Sequence, residues 1–92
     1  TKVVDIISEL QSYNAQVDVY DPWVNPSEAE HEYGITPIST LEQGKYDAII
    51  LAVAHRQFHD MGVEKIRALG KPHAVLFDVK YILPVDQVDG RL

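Results

Sequence analysis

Ninety-two residues, 46% of them apolar, suffice for one domain (1–92) with a core of its own. Fourteen acids against eight Lys and Arg leave a net charge of −6, which argues against a nucleic-acid backbone as partner and reads first as plain solubility. The absence of Cys excludes disulfides, thiolate metal sites and a Cys nucleophile within the chain, and fits a reducing compartment. No apolar run approaches the ~20 residues that cross a bilayer, and the opening Thr-Lys leads straight into an amphipathic pattern rather than a signal peptide.

Val3, Val4, Ile6, Ile7 and Leu10 recur at helical spacing, which predicts a helix over residues 2–13 stopped by Asn14. Residues 16–20 alternate with β-branched and aromatic side chains, the pattern of a strand. Asn25 then caps a second helix, with Pro26 in its first turn, Glu28 three residues after the cap and Gly34 at its end. Residues 35–38 contain Pro37 and allow at best an edge strand. Thr40 can cap a single helical turn around Leu41 and Glu42.

Residues 46–54, YDAIILAVA, form the most apolar segment and predict a strand covered on both faces, as in a parallel sheet under helices. A helix follows over 61–69, ended by Gly70 and Pro72, then a strand over 73–79. The tail from 83 to 92 is polar and reads as a cover or an exit. Alternating helices and strands predict an α/β domain: a three-layer, Rossmann-like parallel sheet flanked by helices, joined by right-handed crossovers. Such folds normally open on a central strand whose turn into the first helix binds phosphate. This chain opens on a helix, so the expectation is a fragment without its first strand.

Three stretches face the edge where open parallel sheets hold ligands. Asp21 ends VDVYDPWV. A ribose-binding acid needs a Gly-rich turn about 20 residues upstream, and no Gly precedes Asp21. A turn residue bonding backbone ahead of Pro22 is the weightier reading. In AHRQFHD, His55 and His59 stand four apart and could share a metal on one helix face. The glutamate of the zinc-protease pattern and a third ligand are absent, so a solvated helix start with Phe58 packed inward is expected instead. In LFDVKYILP, Asp78 and Lys80 end the last strong strand. A Lys there suits a phosphate, although a lone Lys at a strand end is more often merely exposed.

Taken in order, VVDIISEL, VDVYDPWV, YDAIILAVAHRQF and LFDVKYIL resemble the C-terminal, UDP-binding domain of the UDP-glucose/GDP-mannose dehydrogenase family, over nearly the whole chain. AHRQF and FDVK are similar to the branch that oxidises UDP-N-acetylglucosamine or UDP-N-acetylgalactosamine at C6 for surface-polysaccharide synthesis. The resemblance implies a cytoplasmic, homodimeric parent enzyme. An N-terminal domain there binds NAD, two hydride transfers through a Cys thiohemiacetal turn the C6 alcohol into a uronate, and this domain closes over the UDP of the UDP-sugar. With neither Cys nor dinucleotide fingerprint, the chain is expected to be inactive alone. The resemblance also implies Lys80 and Asp78 as the substrate-binding residues, at the family's Asp-Gly-Arg. Here Lys keeps the charge without the planar fork, and Val79 replaces the flexible Gly. Asp21-Pro22 matches a family Tyr-Asp-Pro and there looks structural. The competing expectation is a stand-alone Rossmann-like binding or assembly module without chemistry.

Overall fold

The computed structural model describes residues 2–23 and 25–91, with Lys2 and Pro26 as backbone alone. Thr1, Val24 of the predicted loop and Leu92 of the predicted tail lie outside the described residues. The chain divides into two compact units, Thr1–Leu41 and Glu42–Leu92.

In the first unit, α1 runs over Lys2–Ser12, as the apolar spacing predicts. Asn14 takes the left-handed conformation (φ 65°). Its N–H donates to the Gln11 carbonyl at 2.9 Å, and Ala15 N–H to Leu10 at 3.2 Å, the paired bonds that satisfy a helix end closed by a left-handed residue. α2 covers Pro26–Tyr33. Asn25 Oδ1 accepts from Ser27 N–H at 3.0 Å and from the Ser27 hydroxyl at 2.7 Å. Gly34 closes the helix at φ 75°, where a side chain would be strained. The two helices pack through Ile7, Ala29 and Tyr33, and Val3, Val4, Val17, Val19 and Ile35 surround that cluster.

The strands predicted over 16–20 and 35–38 do not form, nor does the helical turn at Thr40. Both extended segments are present, and Ile38 N–H donates to the Val19 carbonyl at 2.8 Å. No ladder grows around that bond among the described residues, and Pro37 has no N–H to extend it. The alternation of Val17 and Val19 was real, but it reports a face packed on helices. Period two records one buried side, not a strand partner.

The second unit holds the sheet. β1 (Tyr46–Leu51), β2 (Gly70–Asp78) and β3 (Gly90–Arg91) pair in that order, every pair parallel. α3 (Arg56–Arg67) connects β1 to β2 and packs on β2, the α/β Rossmann-like pattern expected from sequence. β1 stops at Leu51 rather than at residue 54, and it is not covered on both faces: Leu51 is buried, whereas Ala48 is exposed. α3 begins five residues before its predicted start at 61, because buried Phe58 anchors the early turn. Gly62 (φ 77°, ψ 163°) kinks it, a conformation that costs Gly least.

β2 starts three residues earlier than expected and accommodates Pro72 by an irregularity. Between the pairs Tyr46–Gly70 and Ala48–Val75, β2 advances five residues while β1 advances two. The surplus loops out the residue that cannot donate to the ladder. The tail was expected to be only a cover or an exit. Instead it makes a 3₁₀ turn (Val85–Gln87) and returns as β3. Asp89 directs this return: its N–H donates to the Leu76 carbonyl at 2.8 Å, and its Oδ2 accepts from Leu76 N–H at 2.8 Å and from Arg67 Nη1 at 3.1 Å. The Arg67 guanidinium, followed by the Leu76 amide, holds the Asp89 carboxyl below the usual carboxylate range. Gly90 then lies so close to the Phe77 ring that a Cβ would overlap it.

Candidate functional site at the carboxyl ends of the strands

The three strands finish on one line. Leu51 is in register with Asp78, and Asp78 with Arg91. A parallel sheet places all its carboxyl ends on one edge, where loops diverge and ligands bind. The segments beyond this edge are His55–Arg56 at the start of α3 and the loop 79–83.

Asp78 builds that loop. Its side chain is 0% exposed. Oδ1 accepts from Lys80 N–H at 3.2 Å and Oδ2 from Leu83 N–H at 2.8 Å. Val79 N–H donates to the Leu51 carbonyl at 3.0 Å, and buried Leu83 pins the far end. Both carboxylate oxygens are spent on backbone, so Asp78 offers a ligand no surface of its own. What it does offer is geometry. Tyr81 is held at φ 58°, which costs a non-glycine residue of order 1 kcal/mol and persists only where the surroundings impose it.

Lys80 and Tyr81 project from the loop into solvent. Lys80 forms no ion pair among the described residues, whereas Lys45 pairs with Glu42 at 3.8 Å and Lys71 with Asp47 at 3.1 Å. The Arg91 guanidinium carbon stands 4.1 Å from the centroid of the Tyr81 ring. A loop held by backbone bonds thus carries Lys80 and, next to it in the chain, Tyr81 with the Arg91 guanidinium over its ring, in a chain that is acidic overall. Such an edge can take a doubly charged oxyanion.

The other predicted positions do not join this arrangement. His55 precedes α3 without a side-chain cap bond, its ring 5.7 Å from Phe58. His59 is exposed and 3.6 Å from Asp60. The described residues contain no cluster of three metal-ligating side chains. Asp21 makes the turn expected of it, Oδ1 accepting from Trp23 N–H at 3.0 Å. Its second bond, donated by the Tyr33 hydroxyl to Oδ2 at 3.0 Å, had no local pattern to announce it. Burial, then the bond to Asp21, pushes the Tyr33 phenol up to about 12. With both carboxylate oxygens engaged, Asp21 does not fit a cofactor ribose. A cavity of about 380 Å³ opens near the amino end of β2. Its cations, Arg67 and Lys71, are already paired with acids, so it is a poor anion site.

Residues 1–85 match the UDP-glucose/GDP-mannose dehydrogenase family, UDP binding domain. The chain belongs to that family. It is 61% identical over all its 92 residues to a UDP-N-acetyl-D-glucosamine 6-dehydrogenase of Pseudomonas aeruginosa and 50% identical over the same length to one of Salmonella typhi. It is also 33% identical, over 97% of the chain, to Protein CapL of Staphylococcus aureus. It spans 22% of the length of the first two relatives and 21% of the third. No solved structure matches it. Among the described residues, no helix is long and apolar enough to cross a membrane.

Membership gives the Asp78–Lys80 loop its interest; sequence reasoning singled out those two residues as substrate-binding and did not single out Tyr81 or Arg91. Arg91 stands in a literal Asp89-Gly90-Arg91 triplet, a visible signal, but its place beside Asp78 follows only from the pairing of β3 with β2.

Proposed function

We propose that the chain is the UDP-holding part of an NAD-dependent UDP-sugar 6-dehydrogenase, with both compact units acting as one domain over residues 1–92. The parent enzyme oxidises the C6 alcohol of a UDP-N-acetylhexosamine to the uronate for surface polysaccharide, as a cytoplasmic homodimer. NAD and the Cys nucleophile belong outside this chain. The family match runs across both units, and two relatives carry the name of the 6-dehydrogenase. These matches do not favour a stand-alone module without chemistry.

The observation that carries the reading is Lys80: an exposed ammonium, without an ion pair among the described residues, on a loop fixed by the buried Asp78 at the carboxyl edge of a parallel sheet. Lys80 meets the UDP phosphates as a point charge, and Asp78 acts by positioning it. The test is Lys80→Ala in the full-length protein, with UDP affinity measured by calorimetry. A loss of about tenfold is expected for one charge-assisted contact. Unchanged affinity for UDP would remove Lys80 from the site.

A further inference from the structure

We infer that Arg91, stacked on Tyr81, is a second cationic group of the same anion site, and that it takes the diphosphate of a nucleoside diphosphate jointly with Lys80. The inference rests on the reading of this edge as the UDP site. Arg91 itself lies beyond residues 1–85, the stretch that matches the family.

Four observations converge on Arg91. β3 pairs in register with the end of β2, so Arg91 stands beside Asp78 at the carboxyl edge. Its guanidinium lies over the ring of Tyr81, 4.1 Å from the centroid, and Tyr81 follows Lys80 directly. Its Nε is buried with no hydrogen-bond partner. Among the described residues Arg91 forms no ion pair, whereas Arg67, on α3, is held by Asp89 at 3.1 Å and by the Gln87 carbonyl at 3.0 Å.

A buried donor without an acceptor costs about 1–3 kcal/mol and calls for an explanation. Stacking supplies part of it, because the ring attracts the cation and fixes its plane. It supplies no acceptor for the guanidinium's N–H groups, which lie in that plane. A planar fork held this way donates to two oxygens of one phosphate. The ammonium of Lys80 complements it as a mobile charge on the adjacent residue. Two unneutralised cations, one rigid and one flexible, match an extended diphosphate better than a single carboxylate. The left-handed backbone of Tyr81 belongs to the same device: Asp78 imposes it, and it sets the ring under Arg91.

The test compares UDP with uridine, which lacks the phosphates, in the full-length protein and in four variants: Arg91→Gln, Arg91→Lys, Tyr81→Leu and Lys80→Ala. Arg91→Gln is expected to weaken UDP binding about tenfold and to leave uridine binding and the thermal midpoint unchanged. Arg91→Lys should restore part of the loss, because it returns the charge without the fork. Should Arg91→Gln fail to fold, Tyr81→Leu serves instead: the residue is 56% exposed, and removing its ring should weaken UDP binding selectively by loosening Arg91. If Lys80→Ala weakens UDP binding while Arg91→Gln and Tyr81→Leu do not, the inference is overturned and the site reading stands. If none of the variants alters UDP binding, or UDP binds no better than uridine, the site reading falls and the inference with it.

Discussion

Asp21 and Asp78 end two extended segments in the two units, and they do the same local chemistry to different ends. Each carboxylate accepts, through Oδ1, the N–H of the residue two positions on: Trp23 at 3.0 Å and Lys80 at 3.2 Å. The second oxygens diverge. Asp21 accepts from a side chain, the Tyr33 hydroxyl, and so ties its turn to α2. Asp78 accepts from a second backbone amide, Leu83, and so closes a loop on itself. The first turn leads into a helix cap. The second presents Lys80 and Tyr81 at the carboxyl ends of parallel strands. An Asp at a strand end is therefore no functional signal by itself; what its turn displays, and on which edge of a sheet, decides.

The comparison breaks most visibly at Asp78. Asp78→Asn turns one buried acceptor into a donor facing an amide, and the protein should lose about 2–3 kcal/mol in chemical denaturation. A loss no greater than that of Asp21→Ala would show that the closed loop is no more tightly built than the open turn. For Asp21→Ala, with a half-buried carboxylate, about 1–2 kcal/mol is expected by the same measurement.

Tyr33→Phe sharpens the account of the first unit, at about 1 kcal/mol. It also carries a pH signature. The folded chain keeps the Tyr33 proton up to about pH 12, whereas an unfolded tyrosine releases it near pH 10. Stability is thus intact below about pH 10 and falls as the pH rises toward 12. Denaturation midpoints across that range should decline more steeply in the parent than in Tyr33→Phe, and equal slopes would break the Tyr33–Asp21 link.

Lys80→Ala should have the smallest effect on stability, within about 0.5 kcal/mol, because the residue contributes to the loop through its backbone N–H alone. A larger loss would mean that the ammonium has a structural partner and is not held free for a ligand.

How much was legible follows the range of the interactions. The α1 stop at Asn14, the Asn25 cap and Gly34 were readable because each is satisfied within five residues of itself. The central sheet was readable in β1 and β2, whose apolar runs exceed what an exposed segment tolerates. The strand expected at 16–20 failed because alternation records burial and not pairing. β3 escaped notice because its two residues are polar or bare, and it exists only through Asp89 on Leu76 and Gly90 against Phe77.

The α/β class and the family resemblance were readable from the chain alone, since both rest on local pattern and residue type. Only the tertiary structure decided that Asp78 is wholly buried and acts on backbone, and that Arg91 comes back beside it to stack on Tyr81. The physical reason is register. Residues far apart in the chain meet where parallel strands end together, and strand pairing fixes that meeting point through long-range backbone bonds that no local pattern encodes.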